Sequence, residues 1–404
     1  MHSGEKAILW FNEITKNDIP VVGGKGANLG EMTNAGIPVP PGFVVTASAY
    51  FNFLKQTGVT DKIRQLLQPL DVNDSKQLQQ TAAEVREVIL KATMPAELVT
   101  EIKSAYAKLG GGLVAVRSSA TAEDLPEASF AGQQSTYLNI GDEKGVIAAV
   151  HSCWASLFEA RAIFYREKQG FDHFKVGIAV PVQRMVQSEA SGVMFTVEPV
   201  TSVTNEIVIE AIYGLGEAIV SGEENPDLYI VDKESLSIIS KKMSRQDRQL
   251  IINPDRSSEK TNIWVQVPAS TRSLQKISDQ DITALASVGK QIEKHYGVPQ
   301  DIEWAKEGKE IFIVQTRPVT TVKEFTEVEP EIKAPVLLKG VSASPGIASG
   351  PVVIVPDASQ IDRVTEGDIL VAEMTTPDFV PAMKRAAAIV TNRGGRTCHA
   401  AIIS

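Results

Sequence analysis

Asp301-Ile-Glu-Trp-Ala-Lys-Glu-Gly-Lys-Glu-Ile-Phe-Ile-Val-Gln-Thr-Arg317 reads as two strands folded back at Gly308. The loop length decides which residues share a face. A three-residue loop, Glu307-Gly308-Lys309 with a glycine bulge, sets Glu303 across from Ile313 and Asp301 across from Gln315. Glu303, Gln315 and Arg317 then lie on one face, and Ile302, Trp304, Phe312 and Val314 on the other. A two-residue loop splits the polar set between faces, so the three-residue register is the expectation. It gives a sheet with a clean apolar side and a side bearing carboxylate, amide and guanidinium. Glu303 and Gln315 offer hard oxygen ligands of the kind that hold Mg²⁺ shared with substrate phosphates. The alternative is an ordinary solvated strand face.

Before the hairpin, a helical pattern runs from Asp281 to His295, preceded by strand-like runs at Val176–Val186, Gly192–Val197, Glu206–Ile212 and Leu228–Val231. A long amphipathic helix is expected from Val146 to Lys168. Further upstream, helical periodicity covers Ser48 to Leu54 and Leu78 to Ala92, and strands are expected at Val114–Ser118 and Ser135–Ile140. After the hairpin, residues 323–339 are charged and punctuated by proline, which marks a linker. A small β-rich unit begins near Gly340. The expected class is therefore α+β, with domains at 1–322 and 340–404.

Near the N-terminus, Gly23-Gly24-Lys25-Gly26 opens a helix expected over Ala27 to Asn34. It is neither a Walker A loop nor a dinucleotide fingerprint, because the glycine spacing is wrong for both. Glycines that admit an anion, with a lysine to reach it, suit a triphosphate; a plain turn into a helix fits the same residues. Arg117 ends an apolar strand, where it serves either as a fork for phosphate oxygens or as a strand-end residue reaching water. The loop Ser129-Phe-Ala-Gly-Gln-Gln-Ser-Thr136 supplies the small residues, hydroxyls and amides that a flap over phosphates needs.

Close to the C-terminus, Thr391-Asn-Arg-Gly-Gly-Arg-Thr-Cys-His399 follows a run, Ala386–Val390, expected to be a buried strand. Gly394-Gly395 make the turn, and Thr397 caps a helix whose first turn holds His399. Free N–H groups there favour an anion and a neutral imidazole, as a phosphate-carrying histidine requires; a structural histidine is the alternative. The helix would have almost no length before Ser404, so a fragment of a longer chain is expected.

At 404 residues the chain exceeds one core, and 43% apolar with 22% charged residues describes an ordinary globular protein. A net charge of −9 argues against nucleic acid or an anionic membrane as partner. Cys153 and Cys398 suggest neither a zinc site nor a disulfide framework, and no run of about 18 apolar residues occurs. A cytoplasmic location is the expectation.

Taken in order, Gly24-Lys25-Gly26-Ala-Asn-Leu-Gly, Val116-Arg117-Ser-Ser-Ala, Phe130-Ala-Gly-Gln-Gln, Val182-Gln-Arg-Met-Val, Ser191-Gly-Val-Met-Phe-Thr, Asp301-Ile-Glu-Trp-Ala, Gln315-Thr-Arg-Pro and the histidine motif resemble the N-terminal half of phosphoenolpyruvate synthases, the pyruvate, water dikinases. The resemblance covers nearly the whole chain. It implies an ATP-grasp domain followed by a swivelling phosphohistidine domain, cut short here. It also implies that Lys25 and Arg117 hold ATP phosphates under a flap bearing Gly132 and Thr136. Gln183 and backbone near Met185 would line the adenine, and Glu303 and Gln315 would hold Mg²⁺. Arg317 would face the transferring phosphoryl group, His399 would carry it, and Arg396 would be its neighbour. Pyruvate and phosphoenolpyruvate would meet a C-terminal domain absent from this sequence, in an enzyme with room for a homodimer. Gly394-Gly-Arg-Thr-Cys-His399 differs from the Gly-Gly-Met-Thr-Ser-His usual in pyruvate, phosphate dikinases. Rifampicin phosphotransferases place a large domain where only the linker stands here. A dikinase with another acceptor, and an ATP-binding fragment without turnover, are the competing readings.

Overall fold

Antiparallel pairing dominates, and the central strands are buried along almost their whole length, as Ile178–Arg184 and Ala190–Phe195 show. The computed structural model describes residues 6–121, 135–199, 203–255, 260–319, 336–338, 340, 346–375 and 379–393. Gly132, Arg396, Cys398 and His399 lie outside them, as does the linker expectation apart from 336–338. The chain divides into two units, residues 1–186 with 252–262, and residues 187–251 with 263–404. Mixed helix and sheet content makes the fold α+β.

In the first unit the order is β1 (Ile8–Trp10), α1 (Ile19–Asn34), β2 (Gly42–Val45), α2 (Ala47–Thr57), α3 (Val59–Leu67), α4 (Ser75–Lys91) and α5 (Ala96–Lys108). There follow β3 (Val114–Arg117), β4 (Ser119–Ala120), β5 (Thr136–Ile140), α6 (Glu143–Ser156), α7 (Ala160–Gln169) and β6 (Ile178–Arg184). The sheet runs β1-β2-β6-β3-β5, with β4 on β6. Thr46 caps α2, whose chain then exits through Gly58 at φ +67°, and the Asp74 carboxylate accepts from the amides of Lys76 and Gln77 to start α4. Phe53, Trp154, Tyr50 and Phe158 are buried at the centre, with Phe53 and Trp154 rings 4.9 Å apart. Burying each such side chain contributes about 1.5–3 kcal/mol.

Two expectations change here. The single helix expected from Val146 to Lys168 is two, broken at Leu157–Glu159. The break leaves the Leu157 carbonyl without a helical partner, and the fully buried Arg166 donates to it from Nη2 at 2.6 Å. The stretch 143–169 is long and apolar enough to cross a membrane by length and composition, yet 67% of its window is buried inside the protein. The second change is in α1, which starts at Ile19 rather than Ala27 and kinks at Gly23 (φ 67°, ψ 171°). Pro20 in the first turn, where its missing N–H costs nothing, explains the early start.

Arg166 also donates from Nε to His173 Nδ1 at 2.8 Å, which puts the imidazole proton on Nε2, facing Glu167 Oε1 at 2.7 Å. Burial and the adjacent guanidinium push the His173 pKa below 6.5, while Glu167 and Asp172 pull against them. The folded state therefore prefers the neutral ring. Its contribution to stability is complete above the unfolded pKa and is lost as pH falls from about 6.5 toward the folded value, by up to roughly 1.4 kcal/mol per pH unit. Urea midpoints should drop on acidification over that range in the native chain and drop less in His173→Asn. Parallel curves for the two proteins would contradict this assignment.

The second unit contains β7 (Ala190–Phe195), β8 (Glu206–Tyr213), α8 (Glu217–Val220), β9 (Asp227–Asp232), β10 (Ile238–Lys242), β11 (Arg248–Ile252), β12 (Asn262–Gln266), α9 (Asp279–Tyr296), β13 (Gln300–Glu307) and β14 (Glu310–Pro318). Its main sheet runs β10-β9-β8-β7-β13-β14 with every pairing antiparallel. Ser278 and Asp281 form a capping box for α9, and Gly297 ends it in the left-handed region. A Cβ on Gly289 would lie 2.9 Å from Met194 Sδ, so α9 covers the sheet face that carries Met194. Lys276 is fully buried against Asp227 at 2.9 Å, and the Tyr229 hydroxyl donates to the same carboxylate, tying the segment before α9 to β9.

The remaining elements are β15 (Val352–Ile354), β16 (Ile369–Ala372), α10 (Val380–Met383) and β17 (Ala388–Thr391), with the strands parallel in that order. Leu370, Ala372, Phe379 and Met383 form their core. The strand expected to be buried over Ala386–Val390 begins two residues later and is half-buried, with Val390 47% exposed. It stands at the edge of its sheet, and an edge strand keeps one side open to solvent.

Candidate functional site

Turn chemistry sets the register of the β13–β14 hairpin, and it differs from the expected one. Glu307 pairs with Glu310, so the loop has two residues, and Gly308 takes the positive φ (+60°) that a primed turn requires at its first central position. Pairing continues to Trp304↔Ile313 and then skips to Glu303↔Gln315, leaving Val314 as an extra residue. That bulge reverses the facing of everything beyond it. The polar set therefore shares a face after all, in closer register than the three-residue loop would give.

Glu303 stands directly opposite Gln315, and Asp301 opposite Arg317. Directly opposed residues have Cβ atoms about 4.5–5.5 Å apart, so the Glu303 and Gln315 oxygens can converge on one ion. Ile302, Trp304, Ile313 and Thr316 make up the buried side; Phe312 and Val314, expected there, are only partly buried. Ile302 pairs with Met194, placing it on the side covered by α9. Glu303, Gln315, Asp301 and Arg317 hence occupy the opposite face.

Arg317 is not an isolated cation. Its Nε and Nη2 both reach Asp301 Oδ2, at 2.8 and 2.7 Å. The arginine side chain is 43% exposed and the aspartate 11%, so the carboxylate fixes the base of the guanidinium while its outer edge stays accessible. Burial raises the Asp301 pKa, Arg317 opposes that, and Glu303 adds to it. Asp301 was missed as a site residue in the sequence. Its position two residues before Glu303 puts both on one strand face, and that spacing was the available signal.

In the first unit, Lys25 lies two residues beyond the Gly23 kink, half-buried in the first turn of the second helical leg. A Cβ on Gly23 would lie 2.2 Å from Ser119 Oγ and 2.5 Å from the Ser119 carbonyl oxygen. No other residue fits there, and this contact holds the Lys25 turn against the Arg117-Ser118-Ser119 corner. Arg117 pairs with Thr136 across β3–β5. Lys25, Arg117 and Thr136 are thus gathered by neighbouring backbone.

Gln183 and Met185 are placed differently from simple ligands. The Gln183 side chain is 2% exposed and donates to the Pro40 carbonyl at 3.3 Å. The Met185 amide donates to the Leu113 carbonyl at 2.8 Å, and the first unit ends one residue later at Val186. At the other end of the chain, β17 finishes at Thr391 on the carboxyl edge of its parallel sheet, an edge where open α/β sheets place ligands. Arg393 is held there by Glu373 at 2.9 Å, and the residues leading to His399 follow.

Residues 19–334 match the family described as pyruvate phosphate dikinase, AMP/ATP-binding domain, and residues 364–404 the PEP-utilising enzyme mobile domain. A probable phosphoenolpyruvate synthase of Methanocaldococcus jannaschii is 53% identical over 403 residues, covering 97% of this chain and 34% of that protein. The phosphoenolpyruvate synthase of Pyrococcus furiosus is 50% identical over 98% of this chain and 54% of its own length, and that of Aquifex aeolicus 47% identical over 98% and 50%. The chain spans about a third to a little over half the length of these relatives. With a match over residues 19–334, the chain belongs to the pyruvate phosphate dikinase AMP/ATP-binding domain family.

Proposed function

We propose that this chain is the ATP-consuming part of a phosphoenolpyruvate synthase, in which the β-phosphoryl group of ATP passes to His399 and the γ-phosphate leaves as phosphate. The overall reaction would convert ATP, pyruvate and water to AMP, phosphoenolpyruvate and phosphate, in the cytoplasm. The domain reading is an ATP-grasp domain over 1–322, a linker over 323–339 and a swivelling phosphohistidine domain from 340. The observation that carries the proposal is the paired register Glu303↔Gln315 and Asp301↔Arg317 on the face opposite α9.

Glu303 and Gln315 present oxygen donors side by side, which fits Mg²⁺ and would neutralise phosphate charge when the ion is bound. Lys25 and Arg117 would hold the phosphates, with Thr136 and Gly132 closing over them. Arg317, its fork steadied by Asp301, would stabilise charge on the phosphoryl group in flight. Phosphoryl transfer asks little covalent chemistry of the protein, so positioning and neutralisation would supply most of the rate. His399 suits the acceptor role because a neutral imidazole is nucleophilic near pH 7. Gln183 would act through packing of β6 beside the adenine rather than through its amide, given its bond to Pro40.

The test is to incubate the chain with Mg²⁺ and ATP radiolabelled at the β-phosphate, then separate nucleotides from protein. AMP with acid-labile label on the protein is the expected result, and pyruvate added with the full-length parent should discharge it. ADP as the sole product would contradict the proposal. Discharge only by an antibiotic or a glucan would redirect it to another acceptor.

A further inference from the structure

We propose that Ser118 is a positioning residue that clasps the two strand ends bearing Arg117 and Thr136, an inference that rests on the ATP reading above. The β3–β5 ladder is short and irregular, with a register shift between Val114 and Val116, so few regular pairs secure its far end. Beyond the last pair, Arg117↔Thr136, the side chain of Ser118 takes over. The Ser118 amide donates to the Ser135 carbonyl at 2.9 Å, and the Ser118 hydroxyl reaches the same oxygen at 3.3 Å. That hydroxyl oxygen in turn accepts from the Ser135 amide at 2.9 Å. One buried hydroxyl thus completes a pairing that the backbone alone does not make.

The clasp is braced from both sides. Ser135 Oγ contacts Glu159 Oε1 at 3.4 Å, and Arg161 binds the other oxygen of that carboxylate at 2.9 Å. On the opposite side Ser119 supports Gly23, and through it the turn carrying Lys25. Arg117, Thr136 and Lys25 therefore depend on one tripeptide, whereas Gln183 and Met185 are held by Pro40, Leu113 and the pairing of Gln183 with Ala115, none of which involves the Ser118 hydroxyl. Loss of the Ser118 hydroxyl should loosen phosphate contacts and spare adenosine contacts. A serine that only stabilised the fold would affect both alike.

The experiment compares ATP and adenosine affinity by calorimetric titration on the full 404-residue chain. Ser118→Ala should weaken ATP binding about tenfold, the size of one lost hydrogen bond, with adenosine changed less than about twofold. Thr121→Ala removes a hydroxyl that exchanges the same two kinds of bond with Gly177, so it should stay within about threefold of the native chain for both ligands. Equal losses for ATP and adenosine, or no loss for ATP, would overturn the clasp. A native chain that binds no ATP at all would instead remove the functional reading beneath it. Hydrogen exchange at the Ser135 amide in the native chain gives a second reading that needs no variant. Protection should rise with ATP and not with adenosine, and equal protection with either ligand would also overturn the proposal.

Discussion

Glu303→Ala should abolish the Mg²⁺-dependent part of ATP binding. Glu303 lies on β13, hydrogen-bonded on both sides, so its side chain starts from a fixed backbone position with Gln315 directly across. An amide is a weaker ligand for a hard cation than a carboxylate, because only the carboxylate offsets the ion's charge. Removing the charged member should weaken affinity for the magnesium complex by about a hundredfold, or roughly 2.7 kcal/mol. Binding of ATP in the presence of a chelator should hardly change. Glu303→Gln retains an oxygen ligand and should fall between. Glu307→Ala, beside the turn and opposite Glu310, serves as the control. Calorimetry with and without Mg²⁺ reads all four proteins. Undiminished enhancement by Mg²⁺ in Glu303→Ala would remove Glu303 from the metal site.

The second large effect concerns rate rather than affinity. Asp301→Asn keeps the shape of the side chain and removes the charge that both Arg317 nitrogens share. Arg317 should then sample other rotamers and lose its aim at the phosphoryl group. An arginine acting on a transferring phosphoryl group is worth about 10³–10⁵ in rate, so loss of its orientation should cost roughly 10²–10³. Ground-state affinity for ATP should change only a few-fold, about 1 kcal/mol or less. Arg317→Lys should behave similarly, because an ammonium cannot make the same fork. Single-turnover rapid-quench kinetics separates the two quantities. An Asp301→Asn enzyme with full transfer rate, or one defective only in binding, would show that Asp301 serves stability alone.

The hairpin, its turn residue and the partners Glu303, Gln315 and Arg317 were legible because β alternation is local. The register was not. Ile311-Phe-Ile-Val314 is uniformly apolar, so nothing in it reveals which residue is squeezed out, and the bulge at Val314 is settled by the neighbouring strand and the turn together. The same limit explains the split helix after Val146, where Arg166 arrives from nine residues away to satisfy Leu157. Helices α3 and α5 are absent from the sequence expectations although their signal is local: Leu98, Ile102, Ala105 and Tyr106 recur at helical spacing in α5, and Val59, Ile63 and Leu66 do so in α3. At the site, residue types were readable, whereas supporting contacts were not. Asp301 holding Arg317, Ser119 backing Gly23 and Ser118 clasping Ser135 all join segments brought together only by the fold.

Locating the phosphate by peptide mapping, after reaction with ATP labelled at the β position, bears most directly on whether a histidine relays phosphoryl groups in this protein. The predicted result is one acid-labile, base-stable phosphate in the peptide containing His399, absent from His399→Ala although that variant still binds ATP. Label on another residue, or full labelling of His399→Ala, would contradict it.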